Sequence, residues 1–232
     1  GGVVGLATAY QLRQRGADVA GLDHDDLGAS LTQLIGGRQP DHSTADGDNC
    51  HAICEQLAGE DRLISPTRFH NSVHNAPAGY WSIATHATAP SNVLCAHDGS
   101  FAAGLLESLC QVSVDGAANL LIVYDSDYPE PLRAVRPVPD AFAVALVLAP
   151  EPSTHTLARI DVALTDAHAT TLAHAELEAL RGGNPAARAL PLLEAVAAQR
   201  SHSVVLDYLP DTRLHVDVVL RGADGVFSTG AP

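Results

Sequence analysis

The longest unbroken apolar stretches lie in the middle of the chain. "NLLIVYDS" (119–126) carries no polar break before its flanking turn formers, the pattern of a strand covered on both faces. "AFAVALVLAP" (141–150) repeats the pattern. Just upstream, Phe101, Leu105, Leu106 and Leu109 recur at helical spacing among small residues, so residues 100–112 are expected as a buried helix. "TLARIDVALTD" (156–166) instead alternates, which predicts a strand with one solvated face. Helices are expected over 171–181, closed by Gly182-Gly183, and from Asn184-Pro185 to about Arg200. "SVVLDYL" and "LHVDVVL" alternate on either side of Pro210-Asp211, a hairpin signal.

Ahead of this region the pattern weakens. Residues 50–58 suggest a helix, and "SPTRFHNSVHNAPAGYWSIAT" (65–85) a short helix leading to an apolar segment. Residues 36–49, "GGRQPDHSTADGDN", are polar and rich in turn formers, so a junction or surface loop is expected. The sum is an α/β fold with a mixed β-sheet and a buried helix. Residues 1–44 form an atypical N-terminal segment and junction, and residues 45–232 one domain. There are no internal repeats.

Composition narrows the functions available. With 46 % hydrophobic and 17 % charged residues the 232-residue chain reads as globular. No apolar run is long enough to span a bilayer and no signal-peptide pattern is present. The chain opens on Gly-Gly rather than Met, so an upstream segment is expected to be missing. All 13 basic residues are Arg, and neither Lys nor Met occurs, which points to a high-GC genome. Without lysine there is no Schiff base, no P-loop lysine and no ammonium base. The net charge of −14 argues against nucleic acid or an anionic membrane as partner.

The four cysteines, Cys50, Cys54, Cys95 and Cys110, suit a disulfide-poor cytoplasmic protein. "CHAIC" sets Cys50 and Cys54 at i, i+4 beside His51. No matching ligand cluster accompanies them, so no metal is expected and they are read as buried thiols.

The chemistry-bearing stretch is "PSNVLCAHDGSFAAGLLESLC" (90–110). Cys95 stands just ahead of the turn Asp98-Gly99-Ser100, which feeds the apolar helix. A thiolate is presented in this way, at a strand-to-helix turn where the helix N-terminus stabilises its charge. Two readings of Cys95 follow: a nucleophile, or a small buried hydrophobe.

Residues 70–108, "HNSVHNAPAGYWSIATHATAPSNVLCAHDGSFAAGLLES", resemble the ketosynthase half of the thiolase superfamily. They resemble still more the short beta-ketoacyl synthase-like chain-length factors. The landmarks are Asn75, Ala78-Gly79, Ser82-Ile83, Pro90-Ser91 and the small-residue helix after Gly99. The resemblance continues through "LLIVYDSDYPEPLRAVRP", "AFAVALVLAPE" and "NPAARALPLLEAVA", covering roughly residues 45–220.

What it implies is a thiolase-like half-fold. In active ketosynthases a nucleophilic cysteine follows the Pro-Ser pair by about eight residues, at the elbow into the buried helix. Counting from Pro90 reaches Asp98, and Gly104 then matches the glycine expected within the helix. Asp98 thus holds the expected nucleophile position, where a carboxylate is a good N-cap but a poor acyl acceptor. Cys95 lies three residues earlier, about 10 Å away along a strand, and is expected to be buried there. The family's two catalytic histidines and lysine belong to the other half of a duplicated fold. His70, His74, His86 and His97 are therefore given no catalytic role.

The resemblance then implies a non-catalytic partner of a beta-ketoacyl-acyl-carrier-protein synthase, forming a heterodimer and meeting acyl carrier protein only indirectly. The pathway would be polyene, aryl polyene, fatty-acid or polyketide biosynthesis, and no cofactor is expected. The alternative is a cysteine-dependent acyltransferase or ketosynthase using Cys95. A third reading rests on residues 1–23, "GGVVGLATAYQLRQRGADVAGLD", which resemble the start of FAD-dependent amino-acid oxidases. Gly2 and Gly5 would be glycines of a dinucleotide-binding turn, a helix would run from about Leu6 to Arg15, and Asp23 would hold a ribose. On that reading the chain is a fragment of a flavin-dependent oxidoreductase.

Overall fold

The structure is a computed structural model that describes residues 3–8, 42–60, 62–128, 130–198, 201–221 and 227. In chain order the elements are β1 (Val3–Thr8), α1 (His42–Ala58), α2 (Pro66–Asn71), α3 (Ala76–Thr85), β2 (Ser91–Leu94) and α4 (Ser100–Asp115). Then come β3 (Asn119–Asp125), α5 (Leu132–Val135), β4 (Phe142–Leu148), β5 (Ala158–Thr165) and α6 (Ala175–Gly183). The last described elements are α7 (Leu190–Ala197), β6 (His202–Leu206) and β7 (Arg213–Leu220). Two 3-10 turns matter below: His97–Gly99 ahead of α4, and Ala186–Ala189 ahead of α7.

The strands form two sheets, ordered β2-β1-β3-β4 and β5-β7-β6. Every pairing within them is antiparallel, which refines the single mixed sheet expected from the sequence while keeping the α/β class. β1 is antiparallel to both of its neighbours, so β2 and β3 run the same way with β1 between them.

β3 is the interior strand that its apolar run predicts. Leu121 and Val123 are fully buried, with Leu120 and Ile122 nearly so. Burial at this level stabilises by about 1.5–3 kcal/mol per side chain. The helix expected over 100–112 is α4, which buries Phe101, Ala102, Leu105, Ser108 and Val112. Its small residues Ala102, Gly104 and Ser108 let it lie close to its neighbours. It stops at Gly116, whose φ of 61° suits glycine and lets its N–H reach the Val112 carbonyl at 3.0 Å. One core joins the two sheets. Phe101, Leu105, Leu121 and Val123 meet Ala186, Ala189, Leu192 and the inner faces of β6 and β7 at Val204, Leu206, Leu214, Val216 and Val218. β5 shows the expected solvated face, and β6–β7 is the expected hairpin.

Three expectations near the N-terminus change. Residues 42–49 are not loop but the opening of α1, whose place is set by packing against α2 rather than by its weak helix formers. Val3–Thr8 is a strand, so Leu6 does not start a helix, and Gly5 pairs with Val93 and Ile122 instead of forming a dinucleotide turn. Gly2, Asp23 and the rest of that supposed site lie outside the described residues. Toward the C-terminus, the helix expected from 171 begins at Ala175. The one expected from Asn184 opens as the 3-10 turn before continuing as α7.

Candidate functional site

Because β2 and β3 are parallel, their ends at Leu94 and Asp125 lie on one edge of the sheet. The elbow forms there. The chain leaves β2 at Leu94, passes Cys95 and Ala96, reverses at His97 with φ of 53°, and enters α4 at Ser100. A left-handed backbone at a non-glycine residue costs about 1–2 kcal/mol, so the surroundings must hold it. Ser100, fully buried, does part of this. Its Oγ accepts the Ala96 N–H at 3.0 Å and donates to the His97 carbonyl at 2.7 Å. The Gly99 N–H closes the turn on the Ala96 carbonyl at 3.0 Å. Gly99 itself lies against the backbone of Tyr208, so closely that any Cβ would collide with the Tyr208 carbonyl.

Asp98 heads α4, as the count from Pro90 expects, but it is not the N-cap. Gly99 takes that place, with no side-chain capping bond. The Asp98 carboxylate turns instead to Arg136, with which it forms a close hydrogen-bonded ion pair. His97 Nδ1 lies 3.5 Å from its other oxygen. Burial works to raise the Asp98 carboxyl, yet the bond and charge of Arg136, helped by His97 and Arg188, hold it below its ordinary value. The elbow therefore carries an ion-paired carboxylate just ahead of α4.

A second carboxylate lies at the end of β3. Asp125 closes β3 and is 5 % exposed. Burial pushes its carboxyl up to about 6; the Ala186 backbone N–H and Arg136 oppose this, and the Asp98 charge adds to it. Tyr128 is raised as well, first by burial and then by Asp125. Asn184, 1 % exposed, fastens this corner. Its Nδ2 donates to the Asp140 carbonyl at 2.8 Å, and its Oδ1 accepts the Ala187 N–H at 3.1 Å. The 3-10 turn is anchored further by Arg188, which shares Asp207 Oδ2 with Arg181, each at 2.6 Å. Arg136, Asp125, Tyr128 and Arg188 are absent from the sequence reading. Arg136 is 38 residues from Asp98, and no local spacing connects them.

Cys95 departs from expectation. It is exposed, not buried, because β2 is an edge strand and Cys95 falls one residue beyond its end. Cys50, Cys54 and Cys110 are exposed too, so the buried-thiol reading of the CHAIC pair is corrected. Cys50 Sγ donates to the Ser72 carbonyl at 3.4 Å, and His51 pairs with Glu55 at 3.4 Å. Among the described residues no group of three or more His, Cys, Asp or Glu is placed to hold a metal ion, and no helix is long and apolar enough to cross a membrane. Of the histidines near the motif, His70 packs edge-on against Tyr80 with ring centroids 5.9 Å apart. The His86 N–H caps α3 on the Ile83 carbonyl.

Comparison with known proteins adds two findings. The fold is similar to that of a chain in the solved complex of a ketosynthase (ApeO) with its chain length factor (ApeC) from Xenorhabdus doucetiae. The TM-score is 0.54 at 22 % identity, over 83 % of this chain and 74 % of that chain. No curated protein matches the sequence. Residues 47–206 match the beta-ketoacyl synthase N-terminal domain, a span that runs from within α1 to the end of β6 and includes the whole elbow. The chain belongs to the beta-ketoacyl synthase N-terminal domain family.

Proposed function

We propose that this chain is a non-catalytic, chain-length-factor-like partner of a beta-ketoacyl-acyl-carrier-protein synthase. The observation that carries the reading is Asp98. It heads α4 where the family's cysteine is expected, and Arg136 binds it in an ion pair. A carboxylate neutralised in this way neither attacks a thioester nor holds an acyl group. The absence of lysine from the sequence agrees with this, since the resemblance places a lysine among the condensing groups. The shares covered in the ApeO–ApeC comparison, 83 % and 74 %, also support it. They match a neighbour of similar length, not a chain carrying two such domains.

In this reading the chain forms a heterodimer with a catalytic ketosynthase in polyene, fatty-acid or polyketide biosynthesis. Both this chain, at −14, and acyl carrier proteins are acidic, so they repel at the encounter stage. The ketosynthase would supply the basic docking surface. Coexpression with a catalytic ketosynthase from the same genome tests the proposal. The expected result is copurification as a stable pair, with longer or more uniform products than the ketosynthase makes alone. Failure to copurify, with unchanged products, would contradict it.

The exposure of Cys95 is the observation that favours the second reading, a cysteine-dependent acyltransferase. Rapid alkylation of Cys95 by iodoacetamide at neutral pH, with loss of an acyl-transfer activity, would support that reading instead.

A further inference from the structure

β5 is an edge of the second sheet, and it lacks the devices that usually close an edge. It runs for eight residues without proline, and its register with β7 is unbroken. Among the described residues no backbone hydrogen bond reaches it from outside the sheet. Its inward side is incompletely covered. Ile160 and Val162 stand opposite Val218 and Val216 of β7. The two β7 residues are buried, whereas Ile160 and Val162 pack against the same core and stay partly exposed, because the sheet ends with them. Its outward side is unbalanced in charge. Asp161 stands directly opposite Asp217 of β7, a like-charge pair that destabilises a sheet. Arg159 lies 3.2 Å from Asp161, and His215 3.8 Å from Asp217. The ion pairs of these two carboxylates among the described residues thus include a single guanidinium.

We propose that β5 is a docking edge for a second copy of this chain, the two β5 strands pairing antiparallel about a twofold axis at Ile160. Directly opposed residues of an antiparallel pair share one face of the sheet, so the axis must pass through a residue. An axis at Arg159 or Asp161 would oppose like charges, and one at Val162 would set Asp161 against Ala163. An axis at Ile160 sets Arg159 of each copy against Asp161 of the other, twice over, and brings a second guanidinium to the Asp161–Asp217 pair. It also lays Ala158 against Val162 and Ile160 against its own copy, closing the inward side. A chain of net charge −14 repels its own copy overall, so two copies meet where their charges answer each other locally. β5 supplies that pattern to itself, which is why the occupant is a second copy. The inference does not rest on the partner-subunit reading, which copurification with a ketosynthase tests separately.

Sedimentation equilibrium of the full chain in reducing buffer tests it. The expected result is a reversible dimer with a dissociation constant on the order of 10 µM, as suits a small interface. Arg159→Asp and Asp161→Arg each set like charges opposite one another twice, so each should weaken the dimer about tenfold. Both side chains are more than half exposed, so the variants should fold, which far-ultraviolet circular dichroism checks. Mixed in equal amounts, the two variants should associate about as tightly as wild type, because each supplies the charges that the other lacks. That rescue cannot arise from the Arg159–Asp161 pair within one strand, so it reads the contact between copies alone. A chain that stays monomeric up to about 500 µM would overturn the proposal. So would a dimer unmoved by either substitution, or a mixture that associates no better than its components.

Discussion

Gly99→Ala probes the elbow where it is most tightly determined. The backbone at Gly99 has φ of −86° and ψ of 6°, which alanine adopts without strain, so any cost must come from space. A Cβ there would sit 3.1 Å from the Tyr208 carbonyl carbon and closer still to its oxygen. These are backbone atoms, so no rotamer change relieves the contact; the elbow or the turn between β6 and β7 must shift. Overpacking of this kind costs about 1–3 kcal/mol, and fixed neighbours place it toward the upper end. The lower unfolded-state entropy of alanine returns at most about 1 kcal/mol. The net expectation is a loss of about 1–2 kcal/mol, or roughly 2–8 °C in Tm for a domain of this size. Two other glycines calibrate it. Gly79 is exposed within α3, with nothing within 4 Å of a built Cβ, so Gly79→Ala should stabilise by about 0.5–1 kcal/mol. Gly116 is equally open but has φ of 61°, so Gly116→Ala should cost about 1 kcal/mol through its backbone alone. Differential scanning calorimetry of the three variants gives the ordering. A Gly99→Ala protein as stable as wild type would refute the close approach between elbow and hairpin.

Further outcomes follow from the core and the ion-pair network. Phe101→Ala removes a fully buried ring from α4 and should cost about 3–5 kcal/mol in urea denaturation; a loss under about 1 kcal/mol would mean that α4 does not pack as described. Glu178 binds Arg181 through both oxygens, at 2.8 and 2.6 Å, and accepts the Leu172 N–H. The Arg181 bond is the main influence holding its carboxyl down to about 2. A depressed value stabilises the fold above the ordinary 4.5 and loses that contribution as pH falls through about 2. Glu178→Gln should therefore flatten the acid limb of the stability curve by about 1 kcal/mol, the small figure reflecting solvent screening of a partly exposed pair. An unchanged acid limb would show that the pair adds nothing.

The parts of the fold written locally were legible in the sequence. β3 is buried along nearly its whole length, so its apolar run needed no context. α4 and the hairpin announce themselves by period. Asp98 was placed at the head of α4 by the spacing from Pro90 that the family resemblance implies. What escaped depends on partners far along the chain. Val3–Thr8 is a strand because β2 and β3 flank it, while its glycine spacing and the following "AYQLRQR" read as turn and helix. The exposure of Cys95 reflects the edge position of β2, which no residue near it encodes. Arg136 and Asp125 look like loop and strand-end residues in sequence; only the antiparallel frame brings them to the elbow.

The central claim is that this chain does not catalyse condensation chemistry alone, and malonyl decarboxylation by the purified single chain tests it most directly. The expected result is no turnover above background with malonyl-acyl carrier protein. Asp98→Cys should not restore it, since the family's histidines and lysine would still have to come from elsewhere. Robust turnover that disappears in Cys95→Ala would contradict the claim and make the chain an enzyme in its own right.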